Sequence, residues 1–140
     1  MMAAHLRQSA HALQPVLIEG YASRFNHRDA LGDIVRAGAF ARVLREPGEI
    51  RMLLHHRPDK NVGRWLRLSE DGQGLHVRGL VEHAEAKTAL RSGLNGLSIG
   101  FRPRLWQALS DGGRKLADIE LIEISLVRVP MLSSARLRIL

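Results

Sequence analysis

Apolar and polar positions along this chain fall into short runs separated by clusters of turn residues, a pattern in which strands predominate. Residues 16–25 read as a first strand, entered after Pro15 and interrupted by Gly20. Residues 50–56 are apolar enough for a buried strand and end on two histidines. Residues 62–68 and 75–82 predict a hairpin around Glu70-Asp71-Gly72-Gln73-Gly74. Two last strands, 97–105 and 115–129, flank a Ser110-Asp111-Gly112-Gly113 turn, and Pro130 ends the second. A short helix is expected over 39–44, closed by Pro47-Gly48, and an alanine-rich one over 83–91, stopped by Gly93. Segments 26–33 and 57–61 are polar and turn-like. Many short strands with regular turn signals favour a small barrel or sandwich carrying one or two helices. No internal repeat or domain boundary is visible, so residues 1–140 read as one domain. Residues 1–14 could form a flexible N-terminal arm, and 131–140 a short C-terminal tail.

One run carries more information than the others: Gly96-Leu97-Ser98-Ile99-Gly100-Phe101. Successive strand side chains point to opposite faces, so Leu97, Ile99 and Phe101 share a core face while Gly96, Ser98 and Gly100 share the other. Glycine inside a strand marks close approach of another backbone or a ligand. Ser98 is then either incidental to tight sheet packing or a nucleophile exposed on a floor cleared for an extended peptide. The run also satisfies G-x-S-x-G, the nucleophile elbow, whose triad follows the chain order Ser, acid, His. All seven histidines here precede Ser98, which excludes the elbow. A histidine activating Ser98 must come before it.

Composition narrows the setting. The chain of 140 residues is long enough for a core without covalent staples, and it contains no cysteine, so disulfides and thiolate metal sites are excluded. Apolar runs are far shorter than the ~20 residues a spanning helix requires. The first twelve residues lack the apolar stretch of a secretory signal. A cytoplasmic, membrane-free protein is expected. The formal charge of +7, mostly from arginine, favours an anionic partner. With three Phe, two Trp and one Tyr, however, no aromatic platform accompanies the arginines, and specific nucleic-acid binding is not expected.

Two further places could carry chemistry. His55-His56 ends a strand at the mouth of a loop, and histidine titrates near neutrality, as a general base must. Neighbours in a regular strand point apart, so one of the pair at most faces a given site, and ordinary strand-end histidines are the alternative. No H-x-H or HExxH spacing supports a metal site. The second place is Glu123, which strand parity sets on one face with Ile119, Leu121, Ser125 and Val127. A carboxylate between isoleucines is expected to be partly buried and needs a partner. That partner is an arginine in a structural ion pair, or a histidine whose tautomer the carboxylate holds.

The landmarks Gly20-Tyr21-Ala22-Ser23-Arg24-Phe25, Asp33-Ile34-Val35 with Gly38-Ala39-Phe40, and Leu53-Leu54-His55-His56 with Val62-Gly63-Arg64-Trp65 occur in that order. Gly74-Leu75-His76-Val77-Arg78-Gly79, the Ser98 run, and Glu123-Ile124-Ser125-Leu126-Val127 with Pro130 complete the series. In order and spacing the chain resembles, from about residue 16 to 135, the tailed-bacteriophage prohead proteases, capsid-maturation serine peptidases related in fold to herpesvirus assemblin. The resemblance implies a mainly antiparallel β-barrel wrapped by a few helices. It implies a serine endopeptidase with Ser98 as nucleophile, His56 as base and Glu123 as third member. His56 is selected over His55 because the family histidine stands seven residues before the glycine matched by Gly63. The implied substrate is scaffold, a scaffold-like segment of the major capsid protein, or both, cleaved inside the immature capsid in the host cytoplasm. A homodimer or higher oligomer is compatible with it, and no metal or organic cofactor is implied. The oxyanion donors are left open, with a backbone N–H near Arg102 to Arg104 as one candidate beside an arginine-bearing loop. Met131-Leu132-Ser133-Ser134-Ala135 departs from the Pro-Ala-Asn that commonly follows the Ser-Leu-Val strand in the family. The competing reading is a catalytically inactive, basic capsid-assembly protein that keeps the protease fold.

Overall fold

Eight strands among the described residues, 13–46 and 48–140 of a computed structural model, share one hydrogen-bonded sheet. In chain order the elements are β1 (Val16–Arg24), β2 (Ile34–Val35), α1 (Ala41–Arg45), β3 (Arg51–Leu54), β4 (Asn61–Glu70), β5 (Gly74–Val81), α2 (Ala84–Arg91), β6 (Gly96–Ala108), β7 (Arg114–Val127) and β8 (Leu137–Ile139). The sheet runs β2-β7-β3-β4-β5-β1-β8, with β6 hydrogen-bonded to β7 beside that path. The N-terminal arm expected over 1–14 lies, through residue 12, outside the described residues. No helix among the described residues is long and apolar enough to cross a membrane.

Period-two patterning explains how the strands bury. In β5, Leu75, Val77, Gly79 and Val81 point inward, whereas His76, Arg78 and Leu80 are more accessible. The core gathers Ile18, Phe40, Met52, Leu54, Val62, Val77, Leu97, Leu116, Ile119, Ile124 and Leu126, drawn from nearly every strand. Helix α2 begins at His83, whose ring accepts the Glu85 N–H, and is followed by Gly93 in the left-handed region at φ +100°. It buries Ala86 and Leu90 against the core.

The expected mainly β fold with a few helices forms and most strand pairs are antiparallel, but the closed antiparallel barrel is not confirmed. The sheet is mixed: β7 is antiparallel to β6 but parallel to β3 and β2. Nor does it close as a continuous ladder. Between β8 and β6 stand an isolated bridge, Gly96 with Arg136, and the bonds Leu97 N–H to Ala135 O (3.0 Å) and Leu137 N–H to Asn95 O (2.8 Å). The parallel partner of β7 is separated from it in sequence by β4, β5, α2 and β6, a pairing that local pattern does not encode. Two short strands also escaped the sequence reading. β2 has two residues and β8, within the 131–140 segment, has three.

The strand expected to run through residue 56 stops at Leu54. His55 and His56 are the central residues of a tight turn closed by Arg57 N–H to Leu54 O (3.1 Å), with φ of +52° and +60°. Positive φ at both central residues is the mirror-image turn geometry, which histidine tolerates better than most side chains. The parity argument for the two histidines therefore does not apply.

Candidate active site

Strand β7 lies between β3 and β6, and its register builds the site. Opposite Glu123, Ser125 and Val127 stand Gly100, Ser98 and Gly96 of β6, respectively, and on the other side Arg51 and Leu53 of β3 stand opposite Glu123 and Ser125. Directly opposed residues project to the same face, so Ser98, Glu123 and Ser125 share one surface. A Cβ on Gly100 would sit 2.2 Å from Glu123 Oε1, and one on Gly96 would sit 2.5 Å from Val127 O. The small-residue face expected to be a cleared floor for a peptide is thus occupied by the chain's own carboxylate and backbone. Ser98 is accordingly only 5% exposed rather than open. Gly100 makes room for the Glu123 side chain to lie over β6, and Gly96 for the Val127 main chain.

Glu123 is buried, and its ion-pair partner is a histidine. His56 Nδ1 lies 2.5 Å from Glu123 Oε1, with the imidazole 43% exposed and the carboxylate 10%. An ionised carboxylate only accepts, so Nδ1 carries the proton and Nε2 is left with its lone pair directed away from Glu123. That is the tautomer a general base requires. The Glu123 hydrogen bond raises the His56 pKa above its ordinary 6.5, burial opposes the rise, and the carboxylate charge adds to it. His55 shifts the opposite way: burial lowers its pKa, with Arg57 and Arg128 adding repulsion.

An open cleft of about 510 Å³ is lined by His55, His56, Ser98, Arg128, Val129 and Met131, among others. Both histidines thus face it, against the expectation that at most one would, because the left-handed turn replaces strand alternation. Only His56 engages Glu123. Ser98 also borders a smaller cavity of about 40 Å³, walled by Ala22, Val35, Leu97, Ile99, Phe101 and Leu132, with His27 and Asp29 among its polar lining. Asp33, also in that wall, is held by Arg114 in a two-pronged pair at 3.0 and 2.7 Å.

The arginine segment that was a candidate for the oxyanion donor does not reach the cleft. Arg102 to Arg104 lie within β6, where Arg102 and Pro103 pair with Glu120 and Ile119 of β7 and Arg104 falls at a bulge, and a rise of about 3.3 Å per residue puts even Arg102 roughly 13 Å along the strand from Ser98. The arginine that lines the cleft is Arg128, just beyond β7. Sequence reasoning also missed what Ser125 does. Its hydroxyl donates to Glu123 Oε2 (2.6 Å) and accepts the main-chain N–H of His56 (3.1 Å). The signal was present: Ser125 stands two residues after Glu123, on the same face.

The fold belongs with the herpesvirus proteases. It is similar to the KSHV protease solved with a hexapeptide phosphonate inhibitor, at a TM-score of 0.55 and 13% identity over 89% of this chain and 64% of that one. The varicella-zoster virus protease gives a TM-score of 0.47 at 20% identity, over 57% and 37% of the two chains. The sequence is more specific: residues 4–140 match the family described as caudovirus prohead serine protease, and the chain belongs to it. The prohead protease of Enterobacteria phage HK97 is 39% identical over 93 residues, covering 61% of this chain and 41% of that protein. The chain thus spans about two fifths of the length of that curated relative.

Proposed function

We propose that this chain is a serine endopeptidase domain acting in capsid maturation, with Ser98 as nucleophile, His56 as base and Glu123 as orienting acid. The observation that carries the reading is the His56 Nδ1 to Glu123 bond, which presents a lone pair at Nε2 in the cleft that Ser98 also lines. His56 Nε2 takes the Ser98 hydroxyl proton as Oγ attacks a peptide carbonyl carbon. The C–N bond then breaks, the leaving amine takes the proton from His56, and water releases the acyl group by the same route. Glu123 stabilises the imidazolium formed at each step. The substrate is scaffold protein or a scaffold-like segment of the major capsid protein, inside the immature capsid. A chain charge of +7 favours acidic partners, an attraction that added salt should weaken.

A fluorophosphonate probe tests the reading. The parent chain should be labelled and Ser98→Ala should not, with little change in stability because one hydroxyl is removed. Labelling of Ser98→Ala at the parent's rate would show that Ser98 is not the nucleophile. Absence of labelling in the parent would favour the inactive assembly protein.

A further inference from the structure

Ser125 has no solvent exposure, and its hydroxyl is used twice. A hydroxyl offers one proton and two lone pairs, so donating to Glu123 Oε2 and accepting from His56 N–H are compatible. Together with the Glu123 Oε1 contact to His56 Nδ1, these bonds close a ring from the Ser125 hydroxyl through the carboxylate and imidazole to the His56 main chain and back. The two arms act on different things. One fixes the rotation of the Glu123 carboxylate. The other ties the backbone of a residue at φ +60°, a conformation that needs support from its surroundings, to the neighbouring strand.

We infer that Ser125 is a positioning residue, which aims the His56 imidazole by holding both its carboxylate partner and its main chain. The inference rests on the proposed roles of His56 and Glu123. Ser125 is the serine of the Glu123-Ile124-Ser125-Leu126-Val127 landmark, and its burial leaves it no part as an alternative nucleophile. A fully buried hydroxyl committed to a carboxylate and a backbone N–H is not available to attack a substrate.

The test is a double-mutant cycle on the rate of fluorophosphonate labelling per folded molecule, combined with the His56 titration followed by NMR. Loss of a hydrogen bond to a charged group should slow labelling in Ser125→Ala by about 10- to 100-fold. If Ser125 acts through Glu123, adding Ser125→Ala to Glu123→Gln should cost less than about threefold more, because the two belong to one unit. A purely structural serine would instead give losses that multiply, and that result overturns the inference, as does a Ser125→Ala rate within about threefold of the parent. In Ser125→Ala the His56 midpoint should also fall towards 6.5, since a freed carboxylate no longer stays on the ring. An unmoved midpoint refutes the inference whatever the labelling shows. A moved midpoint in a chain whose parent cannot be labelled supports the ring and refutes the peptidase reading alone. Should Ser125→Ala not fold, Ser125→Cys keeps a weaker donor at the same branch in a slightly larger side chain and carries the same expectations.

Discussion

A single methyl group placed at Gly100 should dismantle the site without touching any of its polar residues. In Gly100→Ala the new Cβ would lie 2.2 Å from Glu123 Oε1, 2.7 Å from Cδ and 2.9 Å from Cγ. Ordinary non-bonded separations begin well beyond 3 Å, so the carboxylate has to retreat by about 1 Å. That movement breaks both the 2.5 Å contact to His56 and the 2.6 Å bond from Ser125. Hydrogen bonds to charged groups contribute ~1.5–3 kcal/mol each, but the half-exposed imidazole partner places its bond at the low end, giving roughly 3 kcal/mol together. Replacing a strand glycine by alanine returns about 0.5–1 kcal/mol of backbone entropy. The net loss is ~2 kcal/mol, which in a domain of this size lowers Tm by about 6 °C. His56 should then titrate at a lower pH, and labelling by an active-serine probe should slow by about 100-fold. The pH dependence has a definite sign. The folded His56 pKa is raised above 6.5, so the stability that this contact contributes is full below that pH and fades as pH climbs through the folded value. The Tm gap between parent and variant should therefore be wider near pH 6 than near pH 9. Calorimetry, NMR titration and probe kinetics read the three effects, with Gly72→Ala, whose Cβ meets nothing within 4 Å, as control. A Gly100→Ala protein matching the control in Tm and His56 titration would refute the reasoning.

Other substitutions probe other links. His56→Ala should lower the cleavage rate by about three orders of magnitude or more, while His55→Ala, which lacks the carboxylate contact, should stay within about threefold; the reverse ranking would assign the base to His55. Since the base must be neutral, the parent's rate should rise with pH through an apparent pKa above 6.5, and Glu123→Gln should move that midpoint lower and reduce the plateau. A midpoint that stayed in place would detach Glu123 from the base. Asp33→Asn, which breaks the two-pronged pair with Arg114 beside the Ser98 cavity, should cost about 2–3 kcal/mol by chemical denaturation, the arginine's partial exposure keeping it below a fully buried pair; a change under about 0.5 kcal/mol would show that the pair carries little.

Much of this arrangement is written locally. The strand β1, the β4–β5 hairpin, helix α2 and the β6–β7 hairpin all follow from period-two alternation, turn residues and helix stops, because those signals come from the covalent geometry of adjacent residues. The same alternation sets Ser98 between two glycines on one face and Glu123 with Ser125 on another, without saying that these faces are the same one. Seven histidines ahead of Ser98 dictate the order of any histidine–serine pair. Tertiary structure alone decided the rest. Glu123 could have met any of many arginines; it meets His56 because β3 lies parallel to β7 and ends so that the turn at residues 55–56 overhangs the carboxylate. The left-handed turn, which brings both histidines to the cleft, depends on bonds to Ser125 and Leu126 about seventy residues away in sequence. The mixed, unclosed sheet likewise comes from pairings between distant segments. Such pairings are settled by which faces bury together and which polar groups find partners, quantities that no window of neighbouring residues contains.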